Sequence, residues 1–258
     1  MKKIFTVILL SMGISAIAQE LKPLNYVVNE KSHTGYYALP SNISSSTKTI
    51  LIVHEWWGLN DYPKQRAIQL AKEGFIAVCL DMYGTGIIAD NPGDAGKLAG
   101  DFYASPDLAN KTFMAGLNAA QKIKGVQTDK MAAIGYCFGG NIVLNAAKSG
   151  APLDAIVSFH GNLTGQALEK NKLKAAILVC NGAADKFVPQ TDIENLQNEM
   201  KNFKADYTFI NYDNSLHAFT NPNSTAVGQK FNIPIAYNEE ADKKSYADFL
   251  SFITEKVK

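Results

Sequence analysis

The run Met131-Ala-Ala-Ile-Gly-Tyr-Cys-Phe-Gly-Gly-Asn-Ile-Val-Leu144 constrains this chain more than any other stretch. Its first four residues are apolar and read as a short buried strand, and the residues after Cys137 take helical spacing. Gly135 and Gly139 bracket the cysteine, so Cys137 falls on a strand-to-helix turn too tight for a Cβ two residues to either side. That is the geometry of a nucleophile elbow with sulfur in place of oxygen. The helix that follows points its free backbone N–H groups at the sulfur, which favours a thiolate. The competing reading is a structural cysteine buried in a glycine-rich strand–helix contact.

Around this run, residues 49–54 and 75–80 are apolar stretches that read as buried strands, and 155–159, 175–179 and 207–212 read as further strands. They alternate with helical patterns over 62–72, 106–124, 192–203 and 242–257, the first with Asp61 as its cap. Residues 26–29 and 34–39 read as an opening hairpin, with 30–33 as its turn and His33 solvated there. Residues 84–100, rich in glycine and aspartate and without a period, read as a long lid or binding loop. The β–α alternation predicts a mostly parallel, doubly wound sheet with helices on both faces and ligands beyond the carboxyl ends of its strands. Glu55, Asp81, Cys137, His160 and Asp185 all fall at such ends.

With 258 residues, 47% hydrophobic composition and a formal net charge of +1, no charge argument for nucleic acid or an anionic membrane survives. No linker divides the middle, so residues 19–258 read as one domain. Met1-Lys2-Lys3, the apolar run 4–17 and the small residues Ala16 and Ala18 ahead of Gln19 have the parts of a secretory signal over residues 1–18. A retained anchor is the alternative, but the run is short for a span and interrupted by serine and glycine. The expected protein is exported, periplasmic or secreted, and free of the membrane after cleavage. Three cysteines, Cys79, Cys137 and Cys180, leave at least one unpaired. Cys79 and Cys180 each end an apolar run and read as core thiols.

Acyl chemistry at Cys137 needs a base, a group that orients the base, and donors for an oxyanion. Asp185 and then His217 follow the cysteine, each in a loop after a strand, and nucleophile, acid, histidine is the chain order of the α/β-hydrolase fold. His54 ends a buried strand and reads as a hydrogen-bonded core histidine; His160 also ends a strand and could line the site. No ligand spacing for a metal is present, since His54 and Glu55 alternate across the pleat. No cofactor is implied.

The segments His54-Glu-Trp-Trp-Gly-Leu-Asn60, Asp81-Met-Tyr83, Gly135-Tyr-Cys-Phe-Gly-Gly140, Gly182-Ala-Ala-Asp-Lys-Phe-Val-Pro189 and His217-Ala-Phe219 resemble, in order, those of the dienelactone hydrolase family. The resemblance implies Cys137 as nucleophile, His217 as base and Asp185 as its orienting carboxylate. It also implies that Glu55 contacts the resting thiol and that the N–H groups of Trp56 and Phe138 form the oxyanion hole. Trp57, Tyr83, Thr85, His160 and Asn221 are expected to line the substrate pocket. Thr85 and Asn221 stand where members that cleave dienelactones place arginines, so the expected substrate is an uncharged small-molecule ester or lactone, cleaved by a monomer through a thioester. A peroxide-sensing thiol would need a resolving cysteine, and a binding protein on a hydrolase scaffold would have no need of the full set.

Overall fold

The computed structural model describes residues 20–169 and 171–258, so the signal-like segment ending at Ala18 lies outside the described residues. Eight strands, β1 (Lys22–Val28), β2 (Lys31–Ala38), β3 (Thr49–Val53), β4 (Ile76–Leu80), β5 (Met131–Tyr136), β6 (Ala155–Phe159), β7 (Ala176–Gly182) and β8 (Tyr207–Tyr212), form one sheet. The order is β1-β2-β4-β3-β5-β6-β7-β8. β4, β3 and β5 to β8 run parallel, and β1 and β2 add an antiparallel edge. The helices are α1 (Asp61–Lys72), α2 (Pro92–Ala104), α3 (Pro106–Ala120), α4 (Phe138–Lys148), α5 (Gln190–Phe203), α6 (Ser224–Phe231) and α7 (Glu239–Lys256).

Alternation along the strands divides the core into two layers. Ile50, Ile52, Cys79 and Ile134 pack with Tyr62 and Leu70 of α1 and with Phe249 and Ile253 of α7. Leu51, Val53, Val78 and Ala133 pack instead with Phe102 of α2, Phe113 and Leu117 of α3, Val143 of α4 and Ile193 of α5. Each fully buried side chain of this size stabilises by about 1.5–3 kcal/mol, which explains why continuous apolar runs, not alternating ones, mark the central strands. From β3 the chain steps to β4 on one side and later to β5 on the other, so the strand order reverses at β3. A crevice opens beyond the carboxyl ends of strands at such a reversal, and Glu55 and Cys137 follow β3 and β5.

Several sequence expectations are corrected. The hairpin turn is only Asn29-Glu30, both with positive φ (48° and 65°), a two-residue turn that asparagine tolerates at its first position. His33 therefore lies within β2, buried, stacked on Tyr26 with Nδ1 donating to the Asp81 carbonyl at 2.9 Å. Asn60, not Asp61, caps α1, its side chain accepting from the Tyr62 N–H at 3.1 Å. Within the expected loop 84–100 the chain starts α2 at Pro92, with Asn91 as cap accepting from the Asp94 N–H at 3.0 Å. A cap contributes about 1 kcal/mol, and burial of Ala95, Ala99 and Phe102 supplies the rest, outweighing three glycines. α6 was not expected, and α3 ends at Ala120, four residues early.

Candidate active site

The elbow forms as its glycines require. A Cβ on Gly135 would stand 2.0 Å from the Gly139 carbonyl oxygen, and one on Gly139 would stand 2.3 Å from that of Val53. Cys137 itself has φ 55° and ψ −114°, a conformation that costs about 1–3 kcal/mol and must be held by its surroundings. Its N–H is shared between the Phe159 carbonyl at 3.0 Å and His160 Nδ1 at 3.1 Å. Because His160 Nδ1 accepts, the neutral ring carries its proton on Nε2, which donates to Thr220 Oγ1 at 2.7 Å. Burial, and next the neighbouring His217, keep the His160 pKa well below that of an ordinary imidazole, consistent with the neutral ring. Thr220 also accepts from Tyr62 Oη at 2.8 Å, while Arg66 donates to the Thr220 carbonyl at 2.9 Å and pairs with Asp242. His160 thus ties the elbow to the loop that carries His217, and α1 and α7 anchor both.

Cys137 Sγ lies 3.0 Å from His217 Nε2, and His217 Nδ1 donates to Asp185 Oδ2 at 2.8 Å. The Asp185 carboxylate side chain is fully buried, and its other oxygen accepts from the Phe187 N–H at 2.8 Å. Burial disfavours the charged His217 ring, but Cys137 and Asp185 together outweigh it and raise its pKa well above the ordinary value. The arrangement can hand the thiol proton to Nε2 and keep it there.

Glu55 lines the same cavity and is almost wholly buried. Burial pushes its pKa up to about 7, against a hydrogen bond from Asn221 Nδ2 to Oε2 at 2.7 Å. The expected contact between Glu55 and the resting thiol is not formed: Asn221 holds the carboxylate and His217 holds the sulfur. Phe138 opens α4, where an N–H has no partner inside the helix. The carbonyl of Trp56 accepts from Tyr83 Oη at 3.2 Å, which fixes the orientation of that turn.

The cavity measures about 260 Å³, and among the described residues no lysine or arginine lines it. Its walls include Trp56, Trp57, Tyr103, Phe187, Ile233 and Ile235. Of the expected lining residues only Trp57 is in place. Tyr83 is buried beneath the cavity against His54 and Phe138. Thr85 points away, paired with Thr34 Oγ1 at 2.9 Å on a separate 180 Å³ cavity, because the turn through Gly84 (φ 111°) carries the chain outward. His160 and Asn221 lie under the floor, occupied by the bonds already described. His54 is a core histidine as expected, Nδ1 on the Glu55 carbonyl at 2.6 Å and Nε2 accepting from the Met82 N–H at 3.2 Å. Sequence reasoning missed Gly96, Ala99, Tyr103, Asn162, Phe187, Ala218, Ile233 and Ile235; of these, Phe187, two residues from Asp185, and Ala218, next to His217, carried a positional signal.

Cys79 and Cys180 are buried in the layer under α1 and α7, whereas Cys137 packs against the opposite layer. Burial raises both of their thiol pKa values, that of Cys180 to about 12. Neither is placed to resolve an oxidised Cys137. Among the described residues no cluster suited to a metal ion occurs, and no helix is long and apolar enough to cross a membrane.

A protein of Aquifex aeolicus named "Putative carboxymethylenebutenolidase" is 29% identical over 192 residues, 72% of this chain and 81% of that one. A dienelactone hydrolase-like promiscuous phosphotriesterase from metagenomic libraries superposes with a TM-score of 0.88 at 29% identity, covering 93% of this chain and all of that one. An acylaminoacyl peptidase of Pyrococcus horikoshii shares the fold alone, with a TM-score of 0.71 at 13% identity over 93% of this chain and 42% of that one. The model of the dienelactone hydrolase family matches residues 34–257. With the α/β-hydrolase sheet and this geometry at its strand ends, the chain belongs to the dienelactone hydrolase family, hydrolases of esters and lactones.

Proposed function

We propose that the protein is an exported, monomeric hydrolase in which Cys137 cleaves an uncharged ester or lactone through a thioester. The observation that carries this reading is the line from Cys137 Sγ to His217 Nε2 (3.0 Å) and from His217 Nδ1 to Asp185 (2.8 Å) at the floor of an apolar cavity. One chain supplies every group, so a monomer suffices. Export rests on the charged, apolar and small-residue pattern of residues 1–18.

In the first half-reaction Sγ attacks the carbonyl carbon while its proton resides on Nε2. The N–H groups of Phe138 and Trp56 receive the oxyanion, a contribution of about 3–4 kcal/mol per donor in comparable sites. Collapse breaks the C–O bond, and Nε2 returns the proton to the leaving oxygen. In the second half Nε2 takes a proton from water, the hydroxide attacks the thioester, and the acid leaves as Sγ regains its proton. Asp185 keeps the imidazole in one tautomer throughout. The absence of a cation in the walls, with Glu55 as the only further ionisable carboxyl, makes an anionic acyl group a poor occupant.

Intact-mass analysis of the protein secreted by cells carrying the full-length gene, before and after treatment with a haloacetamide, tests this reading. The expected chain begins at Gln19, takes one label on Cys137 and loses its activity on neutral esters in step with labelling. Activity that survives complete labelling of Cys137 would remove the cysteine from the chemistry, and a mass that includes residues 1–18 would remove the cleaved signal.

A further inference from the structure

Gly96 lies inside α2, where glycine weakens a helix by about 0.5–1 kcal/mol relative to alanine. Many of the chain's other glycines have a visible cause, such as the backbone contacts of Gly135 and Gly139 or the positive φ of Gly58 and Gly74. Gly96 has neither: its φ is ordinary, and a Cβ built there would meet no atom within 4 Å. The space above it is part of the cavity that holds Cys137, which α2 walls with Gly96, Ala99 and Tyr103, residues that share a helix face. Gly100, on the same helix, also has open space around its Cβ position but lies outside the cavity walls.

The remaining walls combine aromatic rings with Ile233 and Ile235. Trp56 and Trp57 meet edge to face at 4.9 Å, and Phe187 stands edge-on to the His217 ring at 5.0 Å. Tyr103 and Phe187 are each 45% exposed, leaving uncovered ring surface next to the thiol. Ring pairs at such spacings attract beyond their area burial, so a flat aromatic ligand gains most from these walls.

We propose that Gly96 keeps open a subsite for an aromatic ring, so that the preferred substrate is an uncharged ester or lactone bearing an aryl group, and that residue 96 sets the size limit. This rests on the reading of the cavity as the hydrolase site. The chain has two tryptophans, and both line the cavity, so intrinsic fluorescence reports its occupancy independently of turnover.

The experiment uses two neutral lactones, δ-valerolactone and its benzo-fused counterpart dihydrocoumarin, with Gly96→Ala, Gly96→Leu and Gly100→Leu. Gly96→Leu should lower kcat/KM on dihydrocoumarin at least tenfold more than it lowers that on δ-valerolactone, about 1.4 kcal/mol being tenfold. Gly100→Leu should change neither. Gly96→Ala should raise Tm by about 2–4 °C, which shows that the helix accepts a side chain there. In a Cys137→Ala background, dihydrocoumarin should quench the tryptophans saturably, and Gly96→Leu should weaken that binding tenfold. Equal losses on both lactones, no loss on either, or no saturable quenching by dihydrocoumarin would overturn the subsite. Saturable quenching without any turnover by the unmodified chain would instead overturn the hydrolase reading and leave the aryl site standing.

Discussion

The floor and the rim of the cavity are built on opposite terms. On the floor, Cys137, Asp185, His217 and Glu55 sit in the turns and loops that follow strands, are mostly buried, and each is held by at least one hydrogen bond. The rim, made by α2, the loop at Phe187 and the stretch through Ile233 and Ile235, contributes apolar surface, part of it exposed. Under the proposed mechanism the floor holds the reacting atoms, and catalysis depends on donors and acceptors aimed at the transition state to within a fraction of an ångström. Apolar contacts have no such directional demand, so the rim is free to set which substrate enters without disturbing the chemistry.

The largest effect should come from breaking the floor. Cys137→Ala and His217→Ala are each expected to lower kcat by three orders of magnitude or more, and the double variant should lose little beyond either single one. Groups that work as one unit are non-additive in this way. The measurement is kcat on a neutral ester at fixed pH. Losses that multiply in the double variant would show two independent contributions, and the floor would no longer be a unit.

The same division decides what could be read from the sequence. The elbow was legible because Gly135 and Gly139 answer to backbone contacts that no other residue allows. β6 was legible to the residue, since a fully buried strand leaves a nearly unbroken apolar run. α2 was not, because three glycines in its 13 residues argue against a helix, and only its Asn91 cap and three buried side chains reveal it. Chain order also does not say which way a residue at a strand end points. His160 and Asn221 were expected at the substrate and instead brace the floor from below. His33 was misplaced by one turn type, and that alone moved it from solvent to the interior.

A smaller effect belongs to Glu55, where the floor carries a destabilising charge. Its pKa is raised from 4.5 to about 7, chiefly by burial. Above about pH 7 both folded and unfolded chains carry the carboxylate, but between 4.5 and 7 the unfolded chain gives up its proton first. Stability therefore falls as pH rises through that window, by an amount on the order of 3 kcal/mol. Glu55→Gln keeps the shape and removes the titration. The difference in unfolding free energy between variant and unmodified protein, from urea curves, should grow in favour of the variant from pH 4.5 to pH 8. A difference that is the same at both ends would mean that Glu55 is solvated in solution, and the floor less closed than described.

The smallest effect is expected at Thr85, which the sequence placed on the rim and the structure does not. Its hydroxyl bonds Thr34, and it borders a cavity with Lys64 and Asp81 that is separate from the one holding Cys137. An arginine there would be an exposed charge, and exposed charges act on a site beyond them weakly and through salt-screened space, commonly by less than about 1 kcal/mol. Thr85→Arg should therefore change the ratio of kcat/KM for a lactone carboxylate to that for its neutral counterpart by less than about threefold at physiological salt. The ratio is measured for both proteins across a range of salt, which separates long-range steering from contact. A gain of tenfold or more on the acid that persists at high salt would put residue 85 in reach of bound substrate, and the rim would have to be redrawn to include it.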